Sequence, residues 1–560
     1  MARRLLNLVD MKNTHHRPAP KTPLPRSPTP AHAAEGRGGM VTSPHVGASQ
    51  AGLDVLAAGG NAIEAAIAIA ACLGVVYPHF CGLGGDAFMV LADGNGTVQT
   101  LSGIGQAAQD VRSYLASGTA IPVRGPRSML TTAAAVDVLG KAFALSRENW
   151  GGRCSWSGML APAIALARDG FPMSASERFW LEFRLNDGSP MPDVFDGRLD
   201  AGGLPPPGQW RRQPQLAGTL EALAQGGPRD FYEGYLSQRI ARGLADAGSP
   251  LSAADLARTQ ARAEAPLRLP YRSGELVGLQ PPTQGMTTLE IMGILDRFDL
   301  QTVAEGSADH FHLMVEAVKQ AFLDRNRFVA DPDHADVPTA RLLSPAHLDA
   351  RAAAIDPRHA LPWPHVFQNG DTVYIGVADA QGRAVSMLAT VYFDWGSGVL
   401  VGDTGLLWHN RGAAFSLDPA HPNMLAPGKR PFHTLNPGMY LERGKPTLLY
   451  GTQGADGQPQ TLAAILTRMI DYQLTPALAL AKPRFLLGKT FSDARDSLKL
   501  EDDLPERVFA ELAARGHELA RVPAQSPLMG HPGAIRIDPV TGWMSGAHDP
   551  RSDGRALALP

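Results

Sequence analysis

The sequence has few cysteines, no long apolar run and almost no net charge. Three cysteines in 560 residues, Cys72, Cys81 and Cys154, are too few and too scattered for a disulfide framework or a cysteine-rich zinc site. The longest apolar stretch, residues 62–76, is shorter than the roughly 20 residues of a membrane-spanning helix. A formal net charge of −3 leaves no basic stripe for nucleic acid. We therefore expect neither a membrane nor a nucleic-acid partner.

The amino terminus has little that would direct secretion. The apolar residues 5–9 form too short a segment for a signal peptide, and the sequence therefore predicts a cytoplasmic protein. Residues 17–30, R-P-A-P-K-T-P-L-P-R-S-P-T-P, are typical of a flexible, partly polyproline segment. We expect residues 1–38 to be a disordered extension, and Met40 is an alternative translation start.

Ample apolar residues and regular patterning predict a large layered core. Hydrophobic residues make up 44% of the chain, and 59 glycines and 46 prolines predict abundant loops. The order of elements predicts two sheets packed together with helices outside them. Helices are predicted at residues 43–57, 61–73, within 128–260, and at 308–328, 459–472 and 504–515; strands are predicted at 88–91, 98–101, within 372–450 and at 534–546.

The long helix predicted over residues 308–328 carries several charged and polar side chains near one face. Such a set usually forms a solvated surface or a local group of ion pairs. We therefore expect these side chains to be exposed: His312, Glu316, Lys319, Asp324 and Arg325.

The hairpin predicted at residues 371–390, D-T-V-Y-I-G-V-A-D-A-Q-G-R-A-V-S-M-L-A-T, has a threonine at its start. Val373, Ile375 and Val377 alternate with smaller or polar residues, as in a strand. A threonine at the head of a strand becomes a nucleophile if the preceding peptide bond is cut, because its freed α-amine can act as the base. The β-propensity of threonine explains the same position without catalysis, so the hairpin alone leaves both interpretations open.

Eight short blocks occur in series between residues 39 and 559. They are G-G-N-A-I-E-A-A (59–66), P-H-F-C-G-L-G-G-D-A-F (78–88), P-P-T-Q-G-M-T (281–287), E-A-V-K-Q-A-F-L-D-R (316–325), G-D-T-V-Y (370–374), P-G-K-R-P (427–431), G-T-Q-G-A-D-G (451–457) and D-P-R-S-D-G (549–554). In this order they resemble the γ-glutamyltranspeptidase family, whose members are also called glutathione hydrolases. The resemblance implies an α/β fold, the four-layer αββα sandwich of the N-terminal-nucleophile hydrolases.

The resemblance also implies self-processing of one precursor. Cleavage between Asp371 and Thr372 would produce a large subunit, residues 39–371, and a small subunit, residues 372–560. No cofactor and no metal is implied. The expected partners are a small-molecule amide and the two subunits of the same precursor, and further homo-oligomerisation is left open.

The implied chemistry is acyl transfer through an acyl-enzyme. Thr372 would be the nucleophile, and the hydroxyl of Thr390 would support it. Gly454 and Ala455 match the paired glycines whose backbone N–H groups hold the oxyanion. Alanine departs from the family pattern at 455, and its methyl group narrows the backbone angles that are allowed there.

Several departures affect the pocket that binds the glutamyl group in the family. Ile104 lies where the resemblance predicts an arginine for the α-carboxylate, and Ala414 lies at the position of the acidic residue for the α-amine. Tyr392 replaces an asparagine, and His433 and Thr434 replace two serines. These changes argue against recognition of a glutamyl group.

Arg411 introduces a positive charge where the family has an uncharged amide. A guanidinium suits a carboxylate rather than an ammonium group, so we predict an acyl donor with a carboxylate and no α-amine, oxamate-like or glutaryl-like. The blocks H-N-R-G-A-A-F-S (409–416) and G-K-R-P-F-H-T-L (428–435) resemble the amidohydrolase branch of the family. A surface ion pair is the alternative role for Arg411. The predicted substrate contacts are Arg411, Asn410, Tyr392, His433 and Thr434.

Three other functions remain as alternatives. The first is ordinary γ-glutamyl hydrolysis or transfer with rearranged contacts, acting on glutathione. The second is a homologue that folds but is neither processed nor catalytic. The third, a metal hydrolase, is disfavoured because the candidate ligands lack the spacing of a metal motif; these ligands are His409, His421, His433 and His531.

Overall fold

The computed structural model describes residues 32–118, 120–200, 203–363, 371–489 and 496–560. Two seven-stranded sheets lie at its centre, and helices cover the outer face of each sheet. The fold is the predicted four-layer αββα sandwich of the N-terminal-nucleophile hydrolase type.

The first sheet carries the predicted hairpin at its centre. All neighbouring strands in it are antiparallel. Across the sheet the strands are β19 (Arg555–Leu559), β2 (Gly39–Ser43), β10 (Asp371–Asp379), β11 (Ala384–Tyr392), β3 (Asp86–Ala92), β4 (Val98–Gly103) and β7 (Arg262–Glu264).

The second sheet packs face to face against the first. Buried side chains of both sheets meet between them, among them Met40 and Val90 from the first and Met439, Leu449 and Ile535 from the second. Across the second sheet the strands are β1 (Ala33–Gly36), β18 (Met544–His548), β17 (Gly533–Ile537), β13 (Lys445–Gly451), β12 (Gly438–Glu442), β9 (Gly274–Gly278) and β8 (Leu267–Tyr271).

The helices form the two outer layers and the connections between them. The first sheet is covered by α1 (Val46–Ala57), α2 (Ala62–Val76) and α4 (Ala135–Asn149), with α5 (Trp156–Asp169) and α8 (Pro214–Gly226) packed outside them. The second is covered by α12 (Gly285–Leu295), α16 (Gln458–Ile470) and α17 (Pro476–Ala481), with α13 (Ala308–Phe328), α15 (Pro345–Ala353) and α18 (Glu506–Ala514) outside them.

The remaining elements are short or peripheral. Among the described residues, no helix is both long enough and apolar enough to cross a membrane. The other helices are α3 (Arg112–Ser117), α6 (Ala175–Asp187), α7 (Pro192–Arg198), α9 (Asp230–Glu233), α10 (Tyr235–Ala247), α11 (Ala253–Ala257) and α14 (Thr339–Leu342), and the other strands are β5 (Phe171–Pro172), β6 (Trp210–Arg211), β14 (Phe485–Leu487), β15 (Leu498–Glu501) and β16 (Leu519–Val522).

The hairpin of β10 and β11 is closed and anchored by one carboxylate. Asp379 Oδ1 accepts hydrogen bonds from the N–H groups of Gln381 and Arg383 at 3.0 and 3.1 Å, which close the turn. Its Oδ2 accepts the N–H of Ala62 at 3.1 Å, at the start of α2. Because α2 packs across both strands, the hairpin that begins with Thr372 lies on a rigid layer.

The predicted boundary of the amino-terminal extension lies too far along the chain. We expected residues 1–38 to be disordered, but Ala33–Gly36 forms the edge strand β1, with Ala33 opposite Ala547. Gly38 also donates its N–H to the carbonyl of Leu559 at 3.2 Å. The sandwich therefore includes part of the extension, and residues 1–31 lie outside the described residues.

The bounds predicted for the long helix α13 are confirmed, but the expectation that its polar side chains are exposed is wrong. His312, Glu316, Lys319, Asp324 and Arg325 are all buried. The cause is the contact of α13 with α12, α15, α16 and α18, which the spacing of residues along one helix does not reveal. Each buried charge consequently has a partner from a distant part of the chain or from its own helix.

Candidate active site

Thr372 lies at the start of β10, where the pairing with β11 changes register. Asp371 is opposite Tyr392, whereas Val373 is opposite Ala389, so Thr372 lies opposite a β-bulge that Thr390 and Val391 form in β11. Bulges turn a side chain away from the regular alternation and are common beside active sites. The Thr372 side chain is buried, and its Oγ1 accepts a hydrogen bond from Nε2 of Gln458 at 3.2 Å.

Thr390, the predicted supporting threonine, lies near the end of the neighbouring strand β11. It is fully buried, and its Oγ1 accepts the N–H of Tyr392 at 2.7 Å. Tyr392 has a positive φ of 80°, a conformation that non-glycine residues rarely adopt. The Thr390 hydroxyl thereby stabilises the backbone conformation of Tyr392, which pairs with Asp371 across the two strands.

The predicted oxyanion residues form a tight turn that leads into α16. Gly454 has φ of 128° and Ala455 has φ of 47°. Nε2 of Gln284 donates to the carbonyl of Ala455 at 2.7 Å, and Arg325 holds Asp456 by an ion pair of 3.1 Å. The turn is therefore held from two sides, next to a helix N-terminus whose positive dipole end favours negative charge.

The left-handed conformation of Ala455 predicts a stabilising substitution. Alanine is disfavoured in this region by about 1–2 kcal/mol, a penalty that glycine escapes. We therefore expect Ala455→Gly to retain cleavage and to raise the free energy of unfolding by about 1 kcal/mol, measured by urea denaturation. Ala463→Gly, inside α16, is the matched control and should destabilise. A loss of stability in both variants would contradict the strain at Ala455.

Arg411 lies in the long connection between β11 and β12, within a turn spanning Arg411–Ala414. Its side chain is completely buried, and its Cζ lies 3.5 Å from the centre of the Tyr392 ring. Among the described residues, none hydrogen-bonds to any of its three guanidinium nitrogens. The alternative of a surface ion pair is therefore wrong.

The charge state of Arg411 follows from its surroundings. Burial lowers the pKa of Arg411 to about 10, while Tyr392, Asp86 and Asp456 act in the opposite direction. A pKa of about 10 leaves the guanidinium protonated at neutral pH. The site therefore holds a desolvated positive charge with open hydrogen-bond donors beside the hairpin of Thr372.

Asp86, a residue that sequence analysis did not single out, forms hydrogen bonds with several groups near the Arg411 guanidinium. Its Oδ1 accepts the N–H groups of Gly105 at 3.0 Å and Ala134 at 3.2 Å, and its Oδ2 lies 3.2 Å from Nε2 of His433. Burial opposes ionisation of Asp86, but His409, His433 and Arg411 lower its pKa. Its position in the G-G-D-A-F block was the available signal.

His433 is held as a neutral ring. Burial first, and then the charge of Arg411, lower its pKa to about 3. A neutral ring can donate from Nε2 to Asp86 and accept the N–H of Leu435 at Nδ1, at 3.4 Å. Both ring nitrogens are therefore engaged within the protein, although His433 was predicted to contact substrate.

The other predicted substrate contacts are also engaged in internal hydrogen bonds. The side chain of Asn410 accepts the N–H of Phe393 at 3.1 Å and donates to the carbonyl of Val123 at 2.6 Å. The carbonyl of Thr434 accepts from Nε2 of Gln284 at 2.7 Å. Among the predicted contacts, the structure brings Tyr392 and Arg411 together, whereas Asn410 and His433 serve the surrounding framework.

Ile104 and Ala414, which replace the two charged residues of the family's glutamyl pocket, have apolar side chains that are buried in the fold. Ile104 packs in a buried cluster with Phe88, Leu279, Tyr374 and other apolar side chains. Ala414 is buried at the end of the turn that begins with Arg411. Neither side chain can bind the α-carboxylate or α-amine of a glutamyl group.

The histidines of the metal alternative do not form one group. His409 and His433 both lie near Oδ2 of Asp86, at 3.6 and 3.2 Å, while Nδ1 of His421 accepts the N–H of Asn423. In the part of the chain that the structure describes, three-residue groups able to hold a metal occur at His312, Glu316 and His517 and at Glu290, Asp324 and His347. Ion pairs with Lys319 and Arg351 already engage the carboxylates of Glu316 and Asp324.

Comparison with known proteins identifies the family of this chain. The family description γ-glutamyltranspeptidase matches residues 48–559. The chain belongs to the γ-glutamyltranspeptidase family. It is therefore an amide hydrolase or acyltransferase, as the members of this family are.

Individual relatives of this chain are named as amide hydrolases of related kinds. The chain is 43% identical to an oxamate amidohydrolase proenzyme of Klebsiella pneumoniae subsp. pneumoniae, over 92% of this chain and 98% of the relative. It is 40% identical to a glutathione hydrolase-like YwrD proenzyme of Bacillus subtilis, over 93% and 98% of the two chains. A cephalosporin acylase from Bacillus halodurans superposes with a TM-score of 0.86 at 30% identity, covering 98% of this chain and 99% of the other.

Proposed function

We propose that this chain is a self-processing N-terminal-threonine amidohydrolase that cleaves a small amide bearing a carboxylate next to the scissile carbonyl, as in oxamate. Thr372 is the nucleophile, and Arg411 binds the carboxylate of the substrate. Cleavage between Asp371 and Thr372 yields a large subunit that ends at residue 371 and a small subunit of residues 372–560. All three cysteines are free, which supports a cytoplasmic location as part of this proposal.

The buried and unpartnered guanidinium of Arg411 carries this proposal. An isolated buried charge is strongly unfavourable unless a partner neutralises it, and none of the described residues bonds to it. A carboxylate can accept two parallel hydrogen bonds from one guanidinium. The face of Tyr392 packs against the same group at 3.5 Å and limits where the carboxylate can bind.

The position of Arg411 supports a short acyl group. Arg411 contacts Tyr392, and Tyr392 is directly opposite Asp371, the residue before the nucleophile. We therefore propose that the carboxylate and the scissile carbonyl of the substrate lie close together. In oxamate the two groups are directly bonded, whereas three methylenes separate them in a glutaryl chain.

Self-processing and catalysis use the same attacking atom, the hydroxyl oxygen of Thr372. The Thr372 hydroxyl oxygen attacks the carbonyl carbon of Asp371, the C–N bond breaks, and the released amine receives the hydroxyl proton. Water then hydrolyses the resulting ester, which leaves a carboxylate on Asp371 and restores the hydroxyl of Thr372. The freed α-amine is now placed to act as a general base.

Amide hydrolysis follows in two steps. The α-amine accepts the hydroxyl proton as Oγ1 of Thr372 attacks the amide carbon, and the backbone N–H groups of Gly454 and Ala455 stabilise the oxyanion. The amine returns the proton to the leaving nitrogen, which departs as ammonia. Water, deprotonated by the same amine, then hydrolyses the ester, and oxamate would yield oxalate.

A substrate series tests the proposal. Purified mature protein should hydrolyse oxamate with a higher kcat/KM than malonamate, succinamate or glutaramate, because only the shortest acid places both ends correctly. A γ-glutamyl anilide should react at least about a hundredfold more slowly than oxamate, since its α-amine would approach Arg411. Denaturing electrophoresis should show two fragments, the smaller one of 189 residues.

The substrate series and the electrophoresis also distinguish the alternative functions. Turnover of the γ-glutamyl anilide alone would establish the ordinary glutathione-type activity instead. A single intact band without turnover of any amide would establish an unprocessed, non-catalytic homologue. A maximum at glutaramate would retain the mechanism but reject the short acyl group.

A further inference from the structure

The side chain of Gln458 directly contacts the proposed nucleophile. Its Nε2 lies 3.2 Å from Oγ1 of Thr372, and both side chains are buried. It is the first residue of α16, immediately after the turn that holds Gly454 and Ala455. Sequence analysis did not select it, because the two residues are 86 positions apart.

The side-chain carbonyl oxygen of Gln458, Oε1, has no hydrogen-bond donor among the described residues. This oxygen is buried, and a buried acceptor left without a donor is unfavourable by about 1–3 kcal/mol. In the uncleaved chain the nitrogen of Thr372 is a backbone amide with a single N–H.

Cleavage would supply the missing donor. Once the bond before Thr372 is cut, its nitrogen becomes an α-amine with additional N–H groups next to its own hydroxyl. The two polar atoms of a carboxamide share one carbon, and the nitrogen and Oγ1 of threonine lie on adjacent carbons. One glutamine can therefore form two roughly parallel hydrogen bonds with one N-terminal threonine.

We propose that Gln458 is the positioning residue of the nucleophile: Nε2 holds the Thr372 hydroxyl oxygen before and after cleavage, and Oε1 accepts an N–H of the freed α-amine. This inference rests on the proposed function of Thr372. It adds a residue that orients both the attacking atom and the base toward each other.

A neutral amide is chemically suited to this position. The α-amine of a chain has an ordinary pKa of about 7.7–8.0 and must be unprotonated to act as a base. A carboxylate in place of the amide would stabilise the protonated amine and raise its pKa by about 1–3 units. The neighbouring charged groups, Asp456 paired with Arg325 and Arg411 over Tyr392, are the same in both forms.

Two substitutions on the full-length chain test this role. Gln458→Leu removes both hydrogen bonds and should slow self-cleavage and lower the kcat of the mature enzyme by about tenfold or more, with KM changed less than about threefold. Gln458→Glu keeps the shape and should move the acidic limb of the kcat–pH profile upward by about one unit or more. The control is Thr467→Val, also buried in α16, whose hydroxyl bonds to the carbonyls of Ala463 and Ala464.

The outcomes separate this inference from the proposed function. If both Gln458 variants have the kcat and the pH profile of Thr467→Val, Gln458 does not position Thr372, whereas the nucleophile assignment survives. If Thr372→Ala retains activity, the proposed function itself fails. If Gln458→Leu does not fold, the pH profile of the near-isosteric Gln458→Glu tests the positioning role by itself. An unshifted acidic limb in that profile would overturn the proposal.

Discussion

Thr372→Ala is expected to remain a single uncleaved chain without detectable amide hydrolysis. The substitution removes the only atom proposed to attack both the Asp371 carbonyl and the substrate, and no other group replaces it. The loss should exceed about a thousandfold in kcat for any amide that the wild type cleaves. Denaturing electrophoresis and an ammonia-release assay measure the two effects separately.

The conservative variant Thr372→Ser is the control for this experiment. Serine keeps the hydroxyl that accepts from Gln458 at 3.2 Å, so cleavage and turnover should persist at a reduced rate. Circular dichroism should show that both variants are folded, because one hydrogen bond contributes only about 1 kcal/mol. A cleaved or active Thr372→Ala protein would show that the nucleophile lies elsewhere.

Arg411→Met should nearly abolish hydrolysis of oxamate and at the same time stabilise the free protein. Loss of a buried, bidentate partner for a carboxylate is unfavourable by about 3–5 kcal/mol, which corresponds to a fall of roughly two to four orders of magnitude in kcat/KM. Arg411→Lys keeps the charge but lacks the planar fork, so it should retain intermediate activity. Steady-state kinetics with oxamate measure both variants.

The expected effect of Arg411→Met on the stability of the free protein is a gain, and it follows from the pKa of Arg411. Burial lowers the pKa of Arg411 from 12.5 to about 10, so the folded state disfavours the charged form by about 3 kcal/mol. Because the folded-state pKa lies below the unfolded one, this penalty is fully present below about pH 10 and is relieved as the pH rises toward 12.5. At neutral pH, Arg411→Met should therefore raise the melting temperature.

A second buried arginine provides the matched control. Arg468 is fully buried like Arg411, but its Nε lies 2.8 Å from Oε1 of Glu305. Arg468→Met should lower the melting temperature, because it removes this buried ion pair and leaves Glu305 paired only with Lys482, at 2.6 Å. The folded fraction should still hydrolyse oxamate. Equal loss of stability in Arg411→Met and Arg468→Met would contradict the description of Arg411 as an unpaired charge.

Local patterns along the chain determined much of this protein. The alternation of Val373, Ile375 and Val377 predicts the hairpin of β10 and β11, because the extended backbone of a strand directs successive side chains to opposite faces of the sheet. The periodicity of residues 308–328 predicts the bounds of α13 in the same way. The order of the family blocks predicts the sandwich and identifies Thr372 as the candidate nucleophile.

Only the tertiary structure decided which polar side chains are buried and which of them meet. It buries the charges of α13, leaves the Arg411 guanidinium without a partner among the described residues, and brings Gln458 to Thr372 across 86 positions. These outcomes depend on the packing of helices onto two sheets and on loops that cross between them. Spacing in a sequence encodes the neighbours along one element, whereas burial and charge pairing depend on which elements come into contact.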